Sequence, residues 1–243
     1  MPELSVVVPV YNDQEVLSEL FNRLIPVLIK ETTQFEIIFI DDGSSDDSFE
    51  ILKKYHNQDN RIKILKFIRN YGQSNAITAG LEKAKGKNIV IMDSDLQDRP
   101  EDIPLLLTTL RNSNVKIVIA QQKKKYTNLI KTFISHLFFQ FSNLVTNIQH
   151  PPNLGVFRAF YKEVYDTHIK PLDYCGTTLS QFYRLHLQYE IIPVVRDKRF
   201  SGKSGYDLKK MFQLVFDRIL PHLRCFIVPS KRKPYYEIDA FIG

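Results

Sequence analysis

Residues 88–100, Asn-Ile-Val-Ile-Met-Asp-Ser-Asp-Leu-Gln-Asp-Arg-Pro, hold an unbroken apolar run that ends abruptly in an acidic turn. A run this short and continuous fits a strand covered on both faces, since a half-buried strand would alternate polar and apolar positions. Strands of that kind belong to parallel sheets flanked by helices. Pro100 fits the first turn of a following helix, where its missing N–H costs nothing. Moving outward, 5–10, 35–40, 62–67 and 115–120 are runs of the same type. Between them lie helical patterns over 14–30, 46–57, 74–85 and 100–112, with Leu20, Leu24 and Val27 as one core stripe. Ser44, Ser45 or Asp46 is placed to cap the second helix and Ser74 the third. This alternation predicts an α/β fold with a mostly parallel central sheet and flanking helices. Ligands of such sheets bind beyond the carboxyl ends of the strands, where the polar residues of this sequence collect.

The chain has 243 residues, 44% of them apolar and 25% charged, which suits one well-packed domain and argues against disorder. A net charge of +6 points to an anionic partner. No zinc-finger, RNP or homeodomain pattern occurs, so nucleic acid is not the expected one. Cys175 and Cys225 lie far apart without metal-type spacing. Met1 leads almost at once into a strand, leaving no room for a signal peptide, and no run reaches the roughly 18 apolar residues of a spanning helix. These features predict a cytoplasmic protein.

The pattern changes after about residue 121. Lys123-Lys124-Lys125 opens a segment, 126–148, whose aromatic and aliphatic residues recur at helical spacing. A second such helix is predicted over 206–220. The segment 226–243 is basic and then aromatic, and is expected to be a loosely attached tail.

Three strand ends carry chemistry. Asp93 and Asp95, two positions apart in a turn, can both reach one hard divalent cation such as Mg²⁺ or Mn²⁺. The same turn also suits a polar loop capping the next helix. Asp41-Asp42-Gly43-Ser44-Ser45-Asp46 closes the second strand, and an aspartate there can accept the ring N–H of a nucleotide base. Val8-Pro9-Val10-Tyr11-Asn12-Asp13 closes the first. The six histidines show no ligand spacing, and Gly72 and Gly80 form no dinucleotide fingerprint.

VVVPVYND, IDDGSSDDS, RNYGQSNAITAGL and IMDSDLQDRPEDIP together resemble the GT-A glycosyltransferases of family 2, and within it the polyprenyl-phosphate sugar synthases. The match is close over about 4–112 and looser through GVFRAFYKEV and RFSGKSGYDLKKM. The resemblance implies a GT-A domain over 1–225, with a nucleotide-sugar half (1–120) and an acceptor-facing helical half (121–225). Pro9, Tyr11, Asp13, Asp42, Gln73, Asp93 and Ser94 would bind a UDP-, GDP- or dTDP-sugar. Asp93, Asp95 and Gln97 would form the metal and diphosphate site for Mg²⁺ or Mn²⁺. Arg158, Arg199, Lys203 and Ser204 would serve acceptor or phosphate groups, and Asp95, Arg199 and Lys203 would carry catalysis.

The sequence departs from the family at three places. Val156 stands where many relatives carry an aspartate before Phe-Arg, and a phosphate acceptor, already anionic, needs no such base. Gly202-Lys203-Ser204-Gly205-Tyr206 replaces the usual Gly-x-Ser-Lys-Tyr, and Gln121, Gln122 and lysines replace arginines, losing the bidentate fork. The resemblance implies inverting transfer of a hexose-like sugar to a polyprenyl phosphate. The alternatives are transfer to a sugar hydroxyl of a glycan in surface-polysaccharide assembly, or a non-catalytic nucleotide-sugar-binding subunit. Segment 126–148 suits a bilayer interface as well as simple packing on the sheet, so contact with the membrane's inner face, directly or through a membrane subunit, is a further expectation.

Overall fold

The computed structural model describes residues 1–122, 154–169, 187–195, 197 and 236–243. Chain order is β1 (Leu4–Val10), α1 (Gln14–Glu31), β2 (Phe35–Asp41), α2 (Ser48–Gln58), β3 (Ile62–Phe67), α3 (Gln73–Lys83) and β4 (Asn88–Ile91). A 3₁₀ turn at Pro100–Asp102 leads into α4 (Ile103–Asn112), then β5 (Ile117–Gln122), β6 (Leu154–Tyr161), β7 (Tyr189–Val194) and β8 (Ile238–Ile242). The helices at 126–148 and 206–220 expected from the sequence fall outside the described residues.

One eight-stranded sheet runs in the order β7-β5-β6-β4-β1-β2-β3-β8. β1 pairs in parallel with β2 and β4, β2 with β3, and β5 with β7. β6 runs antiparallel between β4 and β5, and β8 runs antiparallel along β3. β1, β2 and β4 beyond Asn88 are buried throughout, including the polar Ser5, Glu36 and Asp41, as strands covered on both faces must be. Alternate strand residues feed two cores. Val6, Val8, Ile37, Phe39 and Val90 meet α1, α2 and α4 through Leu17, Leu20, Leu24, Leu52 and Leu107. Val7, Ile38, Ile40, Ile89 and Ile91 meet α3 and the turn ending at Ile169. Each fully buried leucine or isoleucine contributes about 1.5–3 kcal/mol relative to exposure, so the two cores fix the sheet between its helices.

Three expectations are corrected. The C-terminal segment is not a loose tail over its described part. Tyr236 stacks on Phe67 at 4.9 Å and its hydroxyl donates to Glu82 at 2.7 Å, while Ile238–Ile242 forms the edge strand. Ser74 does not cap α3, which starts one residue earlier behind Gly72 at φ 91°. Nor is α2 capped by Ser44, Ser45 or Asp46: its N-cap is Asp47, with no side-chain cap bond, and Asp46 sits one residue earlier, its Oδ1 accepting the Ser48 N–H at 3.0 Å.

All parallel strands point their carboxyl ends to one pole. β5 and β7 end there, and the antiparallel strands β6 and β8 begin there. α3 reaches this pole by lying close on the sheet, which Gly80 permits. A Cβ at Gly80 would stand 2.5 Å from Val7 Cγ1 and 2.6 Å from Ile40 Cδ1. Helix propensity alone favours alanine by about 0.5–1 kcal/mol, whereas overpacking costs about 1–3 kcal/mol. Gly80→Ala is therefore expected to destabilise the protein by about 1–2 kcal/mol in urea unfolding, and a stabilised variant would contradict the close packing.

Candidate active site

β1 leads to β2 on one side, whereas its other neighbour β4 leads away to β5 on the opposite side, and at such a reversal the ligand crevice of a parallel sheet lies beyond the carboxyl ends of the strands. Three loops line that crevice. Asn12, in the left-handed region at φ 54°, donates its N–H to Ser44 Oγ at 3.0 Å and accepts the Ser45 N–H on Oδ1 at 2.8 Å. Ser44 and Ser45 thus tie two loops together rather than capping α2. Asp13 donates its N–H to Ser48 Oγ at 3.0 Å, and its carboxylate accepts the hydroxyl of Ser94 in the third loop. Ser94 is buried. Pro9 is buried in β1, while Tyr11, 48% exposed, offers its ring at the rim of the crevice.

The second loop holds two buried carboxylates side by side. Asp41 Oδ1 accepts the Ser44 N–H at 3.1 Å, and its Oδ2 has no hydrogen-bond partner among the described residues. Asp42 accepts the N–H groups of Tyr71 and Gly72 at 2.7 and 2.9 Å. It therefore shapes the turn before α3, a role that sequence reasoning did not assign. The loop can pass close to that turn because Gly43 sits at φ 68°, where a Cβ would lie 2.3 Å from the backbone carbon of Arg69. The turn in its turn presents Gln73, whose side-chain amide donates to Asp93 Oδ1 at 2.6 Å. Gln73 thus meets the acidic turn directly.

In the third loop Asp93 and Asp95 are half-buried, and Asp95 Oδ1 accepts the Gln97 N–H at 3.0 Å. Leu96 holds φ 58° with its side chain buried in the core beneath α4. That conformation costs about 1–3 kcal/mol for a non-glycine residue, comparable to the gain from burying its side chain. No group of three or more His, Cys, Asp or Glu able to hold a metal occurs among the described residues. Two hard carboxylates on one turn nevertheless fit Mg²⁺ or Mn²⁺, ions that complete their shells with water and substrate phosphate oxygens.

Arg158 lies in β6 opposite Ile91 and Ile119, only 2% exposed. Its guanidinium donates to the carbonyls of Val156 and Gly155 at 3.1 and 2.8 Å, toward the start of β6. Val156 packs against the core on the α3 side. Arg199, Lys203 and Ser204 lie outside the described residues.

Burial pushes the carboxyls of Asp41 and Asp42 above the usual aspartate range, against the N–H groups that favour their charged forms. With the folded pKa raised, the folded state binds more protons than the unfolded state between about pH 3.9 and the raised value. Stability therefore falls as pH rises through that window and stays lower above it. Asp41→Asn removes one of these charges but keeps the carbonyl that accepts from Ser44. It is expected to flatten this fall when urea midpoints are measured across pH, whereas a slope equal to that of the native protein would contradict the assignment.

The profile of glycosyl transferase family 2 matches residues 5–169. An uncharacterized glycosyltransferase of Bacillus subtilis, YkcC, is 33% identical over 89% of this chain and 67% of its own length. An undecaprenyl-phosphate 4-deoxy-4-formamido-L-arabinose transferase of Edwardsiella ictaluri is 32% identical over 89% of this chain and 66% of its own. The chain thus spans about two thirds of these relatives. Among solved structures, glucosyl-3-phosphoglycerate synthase of Mycobacterium tuberculosis with Mn²⁺ and UDP-glucose superimposes with a TM-score of 0.65 at 18% identity, covering 98% of this chain and 86% of that one. The same enzyme with Mg²⁺ and UDP gives 0.64 at 16% identity, over 92% and 78%. The fold is that of the GT-A glycosyltransferases, and with its four sequence blocks gathered at one crevice the chain belongs to glycosyl transferase family 2.

Proposed function

We propose that this chain transfers a hexose-like sugar, with inversion, from a nucleotide-diphosphate donor to a polyprenyl phosphate. The observation that carries the reading is the convergence of three acidic loops above β1, with Asp93 and Asp95 on the turn that Gln73 and Asp13 brace. Tyr11, Asp42 and the 71–73 turn would receive the nucleoside, and Asp93, Asp95 and Gln97 would hold Mg²⁺ or Mn²⁺ against its diphosphate. The bound cation would neutralise charge on the departing diphosphate. An acceptor phosphate oxygen would form its bond to the anomeric carbon as the carbon–oxygen bond to the donor breaks, the electron pair staying on the nucleoside diphosphate. Asp95 and the basic residues Arg199 and Lys203 would carry the step, the latter two by docking the anionic nucleophile.

Three further observations support the lipid-phosphate acceptor. Val156 offers an apolar side chain where a hydroxyl acceptor would want a base. The relatives in Edwardsiella ictaluri and Proteus mirabilis are named for undecaprenyl phosphate. Finally, the connections carrying the long apolar patterns leave and rejoin the sheet at the pole of the crevice, as the ends of β5, β6, β7 and β8 require. The chain would work at the inner face of a membrane, as a peripheral protein or beside a membrane subunit; among the described residues no helix is long and apolar enough to cross one.

The test is transfer from UDP-, GDP- and dTDP-hexoses to undecaprenyl phosphate and, in parallel, to a glycan. Turnover to the lipid phosphate with at least one donor is expected. It should be lost in excess chelator and fall about a hundredfold or more in Asp95→Asn, as removal of several kcal/mol of charge stabilisation implies. Val156→Asp should bring no gain with the lipid phosphate. Transfer confined to the glycan would sink the acceptor assignment, and donor binding without any turnover would favour the non-catalytic subunit.

A further inference from the structure

The metal-loop peptide at Gln97 is held from both sides. Its N–H donates to Asp95 Oδ1, and its carbonyl accepts the N–H of Asp197 at 3.1 Å. Asp197 follows β7, the edge strand, and β5 and β6 separate that strand from β4. The chain leaving β7 and the loop that follows β4 therefore meet across the ends of β5 and β6.

Four charges secure this crossing. Arg23 of α1 donates to both oxygens of Glu101, Nε to Oε1 at 2.8 Å and Nη2 to Oε2 at 2.7 Å. The same Nη2 lies 3.7 Å from Asp197 Oδ2, and Arg99 Nε lies 3.9 Å from both Asp197 Oδ2 and Glu101 Oε2. Two cations and two carboxylates thus join α1, the 3₁₀ turn after the metal loop and the exit of β7. The Arg23 side chain is 24% exposed. The Arg23 fork holds Glu101 below the usual carboxylate range, as a retained ion pair requires. None of these side chains reaches the crevice through a described contact. Together they determine how the acidic turn is joined to the chain immediately ahead of Arg199.

We propose that Asp197 is a positioning residue. With Arg23, Arg99 and Glu101 it clamps the exit of β7 to the metal loop, so that a filled diphosphate site steadies the chain that leads into Arg199, Lys203 and Ser204. The proposal rests on the reading of Asp93 and Asp95 given above, and it adds a coupling between the donor site and the acceptor side. Such coupling is a free energy shared between two places, and the clamp supplies a contiguous path of hydrogen bonds and ion pairs to carry it.

Hydrogen exchange on the full chain, with and without UDP and Mn²⁺, reads this coupling directly. In the native protein, ligand should slow exchange in peptides covering both 93–98 and 189–197. In an Arg23→Gln, Asp197→Asn double variant, slowing at 93–98 should persist. Slowing at 189–197 should shrink roughly two- to fivefold, the size that partly exposed ion pairs provide. Asp197→Glu, which keeps the charge, should behave as the native protein. Undiminished slowing at 189–197 in the double variant, or none there in the native protein while 93–98 responds, overturns the clamp alone. Loss of slowing at both segments in the double variant also overturns it, assigning the cluster to the integrity of the metal loop. No response at 93–98 in the native protein overturns the metal-loop reading, and the clamp with it.

Discussion

Asp13 joins the two sides of the crevice. Its N–H holds Ser48 at the start of α2, and its carboxylate holds the Ser94 hydroxyl in the acidic turn after β4. Asn12 adds two bonds to the serines of the intervening loop. β1 is paired on both edges and buried on both faces, so the loop that follows it is the natural reference for its neighbours. Three loops that are far apart in sequence thereby become one polar surface. Side chains held by hydrogen bonds before a ligand arrives need less reorganisation when charge develops during reaction.

That arrangement requires unfavourable local choices. Leu96 and Asn12 take left-handed backbone conformations, Gly43 is pressed on the backbone of Arg69, and Asp41 and Asp42 keep carboxylates away from water. Three of these are offset nearby. Leu96 buries its side chain, Asn12 gains the serines, and Asp42 gains two N–H donors from the turn that bears Gln73. The remote end of the sheet is stitched just as closely. Buried Glu36 accepts from Ser5, Lys63 and the Lys85 N–H, each at 2.6 Å, and fixes the turn entering β4. These bonds hold its carboxyl below the usual range despite burial. Strain concentrated at the crevice and satisfied bonds at the opposite end describe a scaffold built to hold one site.

Much of this was legible because it is local. Short, largely apolar runs marked β1 to β5 to within two residues or so, and the loops after β1, β2 and β4 announced themselves by their aspartates. β6, β7 and β8 were missed, since their places depend on pairings with partners far away in sequence. Nothing in Gly155-Val156-Phe157-Arg158 says that it enters the sheet antiparallel between β4 and β5, and so nothing warned that Arg158 would be buried. Ile238–Ile242 is too short to stand out from a basic, aromatic segment, and it becomes a strand only because β3 offers an edge. The links from Asp42 to the 71–72 backbone and from Gln73 to Asp93 are equally long-range. Their residues were singled out by resemblance, whereas their contacts needed coordinates.

The central claim is that the acidic turn after β4 and the crevice above β1 form a single nucleotide-diphosphate and metal site. A crystal structure with UDP and Mn²⁺, the ion located by its anomalous scattering, measures this most directly. The account predicts one manganese ion bound by Asp93 and Asp95 and by the diphosphate, with the base between Tyr11 and the 71–73 turn. Nucleotide bound elsewhere, or an ion that leaves both carboxylates free, would contradict it.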